Sequence, residues 1–272
     1  MMNITPTVKQ LLIINIIFFI GCQLAPQVES FFALYPFQND NFKVWQIITH
    51  MFMHANIMHI FFNMFALFSF GSALEHFWGG KKFLFFYISC GLGAALLHAG
   101  INYIEIQNLL DGVSNMSLPN ETLHKILNVN YTDGTHYRRD LFLKGITPIL
   151  ENAGKIDLLN NANFESLYEA AISNQVPAVG ASGAIYGLLV AFAFMFPTAE
   201  LALMFIPIPI KAKYFVPGVL VLDLVLGLRG SSIFGAASGG GVAHFAHLGG
   251  ALTGFIMMWY WKKNQFNKNR WN

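Results

Sequence analysis

The chain has 272 residues, of which 55% are hydrophobic and 11% charged, and its formal net charge at pH 7 is +2. A soluble domain carries about 25% charged residues, so an ordinary water-soluble globule is excluded, and the small net charge without a basic stripe excludes a nucleic-acid partner. The expected fold class is all-α: a polytopic membrane protein with six apolar segments at about 10–30, 55–75, 83–101, 181–197, 213–228 and 243–261, each near the ~20 residues a bilayer requires.

Threading six spans with the N-terminus inside places Lys9, Lys81, Lys82, Lys211, Lys213, Lys262, Lys263, Lys268 and Arg270 on the cytoplasmic side. Only Lys43 and Arg229 then fall in short outer loops. This asymmetry predicts that both termini are cytoplasmic. The first apolar run, Leu11 to Ile20 with Gly21-Cys22, has a rival reading as a cleavable signal. Because apolar character continues through Leu24, Ala25 and Val28, a retained first helix is expected. Cys22 and Cys90 fall within spans, so they are read as apolar fillers rather than disulfide or metal cysteines.

An aromatic loop, Phe31 to Asp40 with Phe42 and Trp45, is expected at the outer interface. The second span opens with His50, His54, His59 and Asn63, which are expensive groups to carry into a bilayer. His50 and His54 are four apart and could bind a metal, but no H-E-x-x-H arrangement follows, so no metal is expected. Residues 102–178 then hold nine acidic and five basic side chains. They read as an extracytoplasmic insertion within a single membrane domain, with short amphipathic helices at 141–150 and 164–172. Residues 201–210, with Pro207 and Pro209, read as an interfacial inner loop. The fifth span contains Pro217 and Asp223, and that aspartate must face protein or water.

The fourth span opens with Gly180-Ala181-Ser182-Gly183-Ala184-Ile185-Tyr186-Gly187. Small residues at four-residue spacing are a packing device of membrane helices, and serine is an ordinary cap, so the octet alone does not identify a nucleophile. Partners decide the matter. Alternating spans make numbers two, four and six run the same way, so His59, Asn63, Ser182 and His247 begin in one leaflet at similar depth. His247, Gly250 and Gly254 share one helical face, and Gly183 and Gly187 mark a bare face on span four. If the two faces meet, His247 reaches Ser182 as a general base reaches a nucleophile. His59 and Asn63, also on one face, can donate to an oxyanion beside the Ser182 N–H at a helix entrance. Other readings remain for each: His244 and His98 as packing residues, Asn63 as glue between helices.

As a set, Gly180-Ala181-Ser182-Gly183 with Tyr186, His54 with His59 and Asn63, and Ala246-His247-Leu248-Gly249-Gly250 with Gly254 resemble the rhomboid intramembrane serine proteases. The resemblance covers roughly 5–101 and 178–265. It implies a six-helix rhomboid-like bundle, a Ser182/His247 dyad without a third acidic member, an oxyanion hole from His59, Asn63 and the Ser182 amide, and Tyr186 packed on His247. His54 joins the auxiliary residues, and no cofactor is implied. Substrates would be transmembrane proteins entering from the lipid bilayer and cut near its outer face, where small residues let a helix unwind. Span five and the 229–241 loop are the expected gate, and a bacterial-type plasma membrane is the expected location.

Two features depart from simpler patterns. Gly180-x-Ser182-Gly183-Ala184 is not the G-x-S-x-G elbow of soluble hydrolases, and the 102–178 insertion is longer than the connection in minimal bacterial members. The alternative from another class is a non-catalytic rhomboid-like binding or quality-control protein, although both Ser182 and His247 are present. A transporter would show broken helices and symmetry between halves, which the sequence lacks.

Overall fold

The computed structural model describes residues 3–134, 136–203, 206–229 and 242–264. In chain order the helices are α1 (Pro6–Leu24), α2 (Glu29–Phe32), α3 (Gln46–Thr49), α4 (Ile57–Ala66), α5 (Ser72–Trp78), α6 (Gly80–Asp111), α7 (Asn120–Leu127), α8 (Arg139–Asn152), α9 (Asn161–Gln175) and α10 (Ser182–Met195). Strands β1 (Glu200–Leu203) and β2 (Ile206–Lys211) precede α11 (Ala212–Leu228) and α12 (Val242–Asn264). The chain divides into two compact units, one of residues 1–34, 44–98 and 178–272, the other of residues 35–43 and 99–177.

The first unit is a helical membrane bundle. Among the described residues, three helices are long and apolar enough to cross a bilayer: Pro6–Leu24, Ile57–Trp78 and Gly80–Asp111. The second of these joins α4 to α5 through a π-helical stretch, Leu67–Gly71. α10, with 14 residues, and α11, with 17, are shorter than the ~20 residues of a full span. Large apolar side chains such as Ile17, Leu24, Phe85 and Leu96 stay exposed, which suits a lipid solvent as apolar as they are. The first helix begins and ends earlier than its expected 10–30 range, because Pro6 fits the first helical turn and Pro26 cannot continue the helix.

Helix directions follow from the contacts. Gly71 packs on Val8 and Gly80 on Thr7, so α1 starts where α5 ends. Glu75 fixes that end: its carboxylate accepts from the Thr5 hydroxyl at 2.5 Å and from the Thr7 and Val8 amides at 2.9 and 2.8 Å, satisfying donors that a helix N-terminus leaves open. Phe70 meets Phe192 and Phe77 meets Phe196, so the α4–α5 pair and α10 run the same way. Gly183 faces Ala246 and Gly187 faces Gly250, so α10 and α12 are parallel too.

The close approach of α10 and α12 depends on missing side chains. A methyl group added at Gly250 would fall 1.8 Å from the Gly183 carbonyl oxygen, and one at Gly254 would fall 2.8 Å from the Gly187 Cα. α6 closes the third side: a methyl at Gly187 would meet the Cys90 sulfur at 2.3 Å, and one at Gly183 would meet Ala94 at 2.4 Å. Val8, Leu67, Phe83, Phe86, Tyr87 and Leu188 complete the buried core. Cys90 is buried as expected, but Cys22 is only half-buried, its sulfur 3.8 Å from that of Met53.

Residues 201–210, read from sequence as a loop, lie in an antiparallel hairpin pairing Leu201 with Ile210 and Leu203 with Ile206. A two-stranded ribbon is all edge, where the missing N–H groups of Pro207 and Pro209 are tolerated.

The second unit has a different core. Tyr131 lies 5.1 Å from Phe142 and 5.7 Å from Tyr168, while Phe164 stacks on Tyr168 at 5.9 Å. Ile106, Met116, Ile146 and Leu167 are fully buried around these rings. The expected amphipathic helices are α8 and α9, both longer than their apolar runs. The Asn160 side chain caps α9 by accepting from the Asn163 amide at 2.9 Å. Asn39 donates to the Asn174 carbonyl at 2.7 Å and Asn174 to that of Leu127 at 3.1 Å, pairing buried polar groups inside the unit. The expected gate residues 230–241 and the tail from 265 lie outside the described residues.

Candidate active site

Ser182 is the first residue of α10, preceded by Gly180 at φ +127°, a conformation that favours glycine. The Gly180 amide donates to the His50 carbonyl at 2.9 Å, which ties the approach to α10 onto the segment before α4. At a helix start the first amides, including that of Ser182, have no intrahelical acceptor.

The Ser182 Oγ lies 2.9 Å from His247 Nε2. Tyr186, one turn into α10, stacks on the His247 ring at 4.3 Å and 10°. α12 presents His247 at this height because Gly250 and Gly254 let its backbone rest on that of α10.

α4 supplies the opposite wall. The Asn56 side chain caps α4 by accepting from the His59 amide at 2.9 Å, which starts the helix just before His59. A methyl group at Gly180 would fall 2.8 Å from His59 Nε2 and 3.5 Å from Ser182 Oγ, so imidazole and hydroxyl face each other across a bare glycine. Asn63 follows one turn later on the same face, buried, with an Nδ2 that has no hydrogen-bond partner. His54 is buried, and its ring sits edge-on to His59 at 5.0 Å.

The i, i+4 spacing of His50 and His54 does not place them on one helical face. Met53 is extended, so the helix breaks between them, and His50 Nδ1 is occupied by the Gln46 carbonyl at 2.8 Å.

A carboxylate unassigned by sequence also reaches the site. Asp223 Oδ2 on α11 lies 3.2 Å from His247 Nδ1, and its Oδ1 lies 2.5 Å from His244 Nδ1. Asp223, His244 and His247 bring their ligand atoms within 4.8 Å of one another, which makes them the group among the described residues that could hold a metal ion. Sequence reasoning required Asp223 to face protein or water but found no partner for it. The signal was a lone acid in an apolar span.

An apolar groove of about 620 Å³ lies between α10, α11 and α12, lined by Val190, Phe194, Val216, Leu220, Ala251 and Phe255 among others.

The family model of the Rhomboid domain matches residues 41–114 and 158–264. An uncharacterized mitochondrial rhomboid protein of Schizosaccharomyces pombe is 27% identical over 229 residues, covering 80% of this chain and 52% of the relative. The mitochondrial rhomboid protein 1 of Saccharomyces cerevisiae is 30% identical over 122 residues, 39% of this chain and 33% of its own. The rhomboid protease AarA of Providencia stuartii is 42% identical over 64 residues, 24% and 23% of the two chains. The chain thus spans about half, or less, of the length of these curated relatives. The mitochondrial names of the first two run against the bacterial-type plasma membrane expected from sequence. The chain is an integral membrane protein, and with a family match across most of its length it belongs to the rhomboid family.

Proposed function

We propose that this chain is an intramembrane serine protease that hydrolyses peptide bonds of transmembrane protein substrates, with Ser182 as nucleophile and His247 as base. The observation that carries the reading is the 2.9 Å contact between Ser182 Oγ and His247 Nε2 at a helix start within the membrane bundle. Among the relatives, AarA is named a protease.

In the proposed reaction Ser182 Oγ attacks the scissile carbonyl while its proton passes to His247 Nε2. The resulting oxyanion is met by the Ser182 amide and by the side chains of His59 and Asn63, whose unpartnered Nδ2 is a buried donor awaiting an acceptor. His247 returns the proton to the leaving amine, leaving Ser182 acylated. A water molecule, deprotonated by the same ring, then releases the acyl group. Tyr186 restricts the ring by stacking, and His54 backs His59. A helical substrate must unwind locally before its carbonyl is accessible, since in a helix that oxygen is already hydrogen-bonded.

The orientation proposed is six spans with both termini inside, cleavage near the outer face, and residues 102–178 as an extracytoplasmic insertion in a single membrane domain. A protease site placed within 110–170 should then be cut only from the outer side.

The test of the chemistry is a serine-directed phosphonate probe applied to purified wild type, Ser182→Ala and His247→Ala. Labelling is expected in wild type alone. Labelling that persists in Ser182→Ala would remove Ser182 as the nucleophile, and an unlabelled wild type would favour a non-catalytic rhomboid-like protein.

A further inference from the structure

We propose that Asp223 is a positioning residue for this site, accepting a hydrogen bond from the Nδ1–H of His247 and thereby holding Nε2 as the base toward Ser182. This rests on the reading of Ser182 and His247 as nucleophile and base.

A carboxylate only accepts hydrogen bonds when ionised, so a ring nitrogen 3.2 Å from Asp223 Oδ2 must carry the hydrogen. In a neutral imidazole the other nitrogen then holds the lone pair, and that nitrogen lies 2.9 Å from the Ser182 hydroxyl. Both ring nitrogens are therefore used at once, and the tautomer is the one general-base chemistry requires. When the serine proton moves to Nε2, the ring becomes an imidazolium beside a carboxylate. The proton later leaves to the amine, and Asp223 itself gains none.

The carboxylate is in turn held on every side. His244 Nδ1 lies 2.5 Å from Oδ1, and the Tyr186 hydroxyl of α10 interacts with the same group. His59 of α4 is near enough to interact electrostatically with His247. Asp223 is 4% exposed on a helix whose neighbours Leu222, Leu224 and Val225 are apolar and exposed. A buried carboxylate in such a helix is costly, and packing alone would be served better by an apolar residue.

A metal ion explains the spacing less well. Ligands about 2.0–2.1 Å from a tetrahedral ion stand roughly 3.3 Å apart, whereas His244 Nδ1 and Asp223 Oδ1 are 2.5 Å apart, in direct contact with each other rather than spaced around an ion.

The test uses the purified full chain in lipid vesicles with a fluorogenic transmembrane peptide. Turnover is measured across pH for wild type, Asp223→Asn, Asp223→Glu and Ser182→Ala. Asp223→Asn should lower kcat by about 10²- to 10⁴-fold with little change in KM, as loss of a buried orienting carboxylate does in other serine hydrolases. Asp223→Glu should recover part of the rate. Wild-type turnover with an unchanged rate and pH profile in Asp223→Asn would overturn the proposal while leaving the protease reading intact. No Ser182-dependent turnover in wild type would bring down both. Loss of wild-type turnover with a chelator, restored by zinc, would make the cluster a metal centre and also overturn it. Should Asp223→Asn fail to fold, ¹⁵N-histidine spectra of wild type decide: His247 protonated on Nδ1 is the expected tautomer, and protonation on Nε2 overturns the proposal.

Discussion

The two units of the chain are packed by opposite means. In the membrane bundle α10 and α12 meet where side chains are missing, backbone against backbone at Gly183, Gly187, Gly250 and Gly254. In the other unit the core is filled by the rings of Tyr131, Phe142, Phe164 and Tyr168. The contrast follows from the solvent. Lipid gives no hydrophobic reward for burying a large apolar group, so helices gain by dispersion at short range. In the second unit, rich in charge and apolar inside, burial of aromatic area supplies the driving force. Precision at Ser182 is therefore a product of what the helices lack.

The sharpest way to break this contrast is Gly250→Ala. Its new methyl group would stand 1.8 Å from a backbone oxygen that cannot turn aside, so α10 and α12 must separate. Probe labelling of Ser182 should fall by about 10²-fold or more, as expected for displacement of a base by about 1 Å, and Tm should fall with it. Wild-type labelling would show that the glycines do not set the site. Next comes Phe142→Ala in the other unit, which should cost about 3–5 kcal/mol of that unit's stability while Ser182 labelling persists. Equal loss of labelling would mean that the two cores act as one.

An effect confined to turnover is expected from Asn63→Ala, which removes a buried donor that has no partner at rest. Turnover should drop by about 10²- to 10³-fold without a lower Tm, since no existing hydrogen bond is lost. A falling Tm with unchanged turnover would return Asn63 to a packing role. The smallest effect is reserved for Arg138→Ala. Arg138 pairs with Asp140 at 2.7 Å on the surface and lowers the Asp140 carboxyl below its usual range. Any stability from that pair is present above the unfolded carboxylate range and lost as pH falls, and solvent screens it. Neither Tm at neutral pH nor labelling should change measurably.

How much of this was legible beforehand depended on how local the signal was. The starts of α4, α10 and α12 were readable because Ser182 and the histidines interrupt apolar runs, and direction followed from alternation. His59, Ser182 and His247 could be gathered at one level from those facts alone. Asp223 could only be marked as needing a polar neighbour, because an apolar helix gives no phase by which to tell which helix it faces. The spacing of His50 and His54 was uninformative for a related reason: the four-residue rule holds only within a helix, and Met53 is extended between them. The 102–178 core stayed hidden because its apolar residues are spread over short segments that become a core only when folded together.

Glu75 has a consequence for how the bundle fits its solvent. One carboxylate receives three donors from the first residues of α1, so α1 cannot slide along α5 by even one residue without stranding a buried charge. That pin fixes how far the two helices overlap, and through them the thickness of lipid that the bundle accepts. A single acid at the rim of the bundle thus acts as a ruler for the membrane around it.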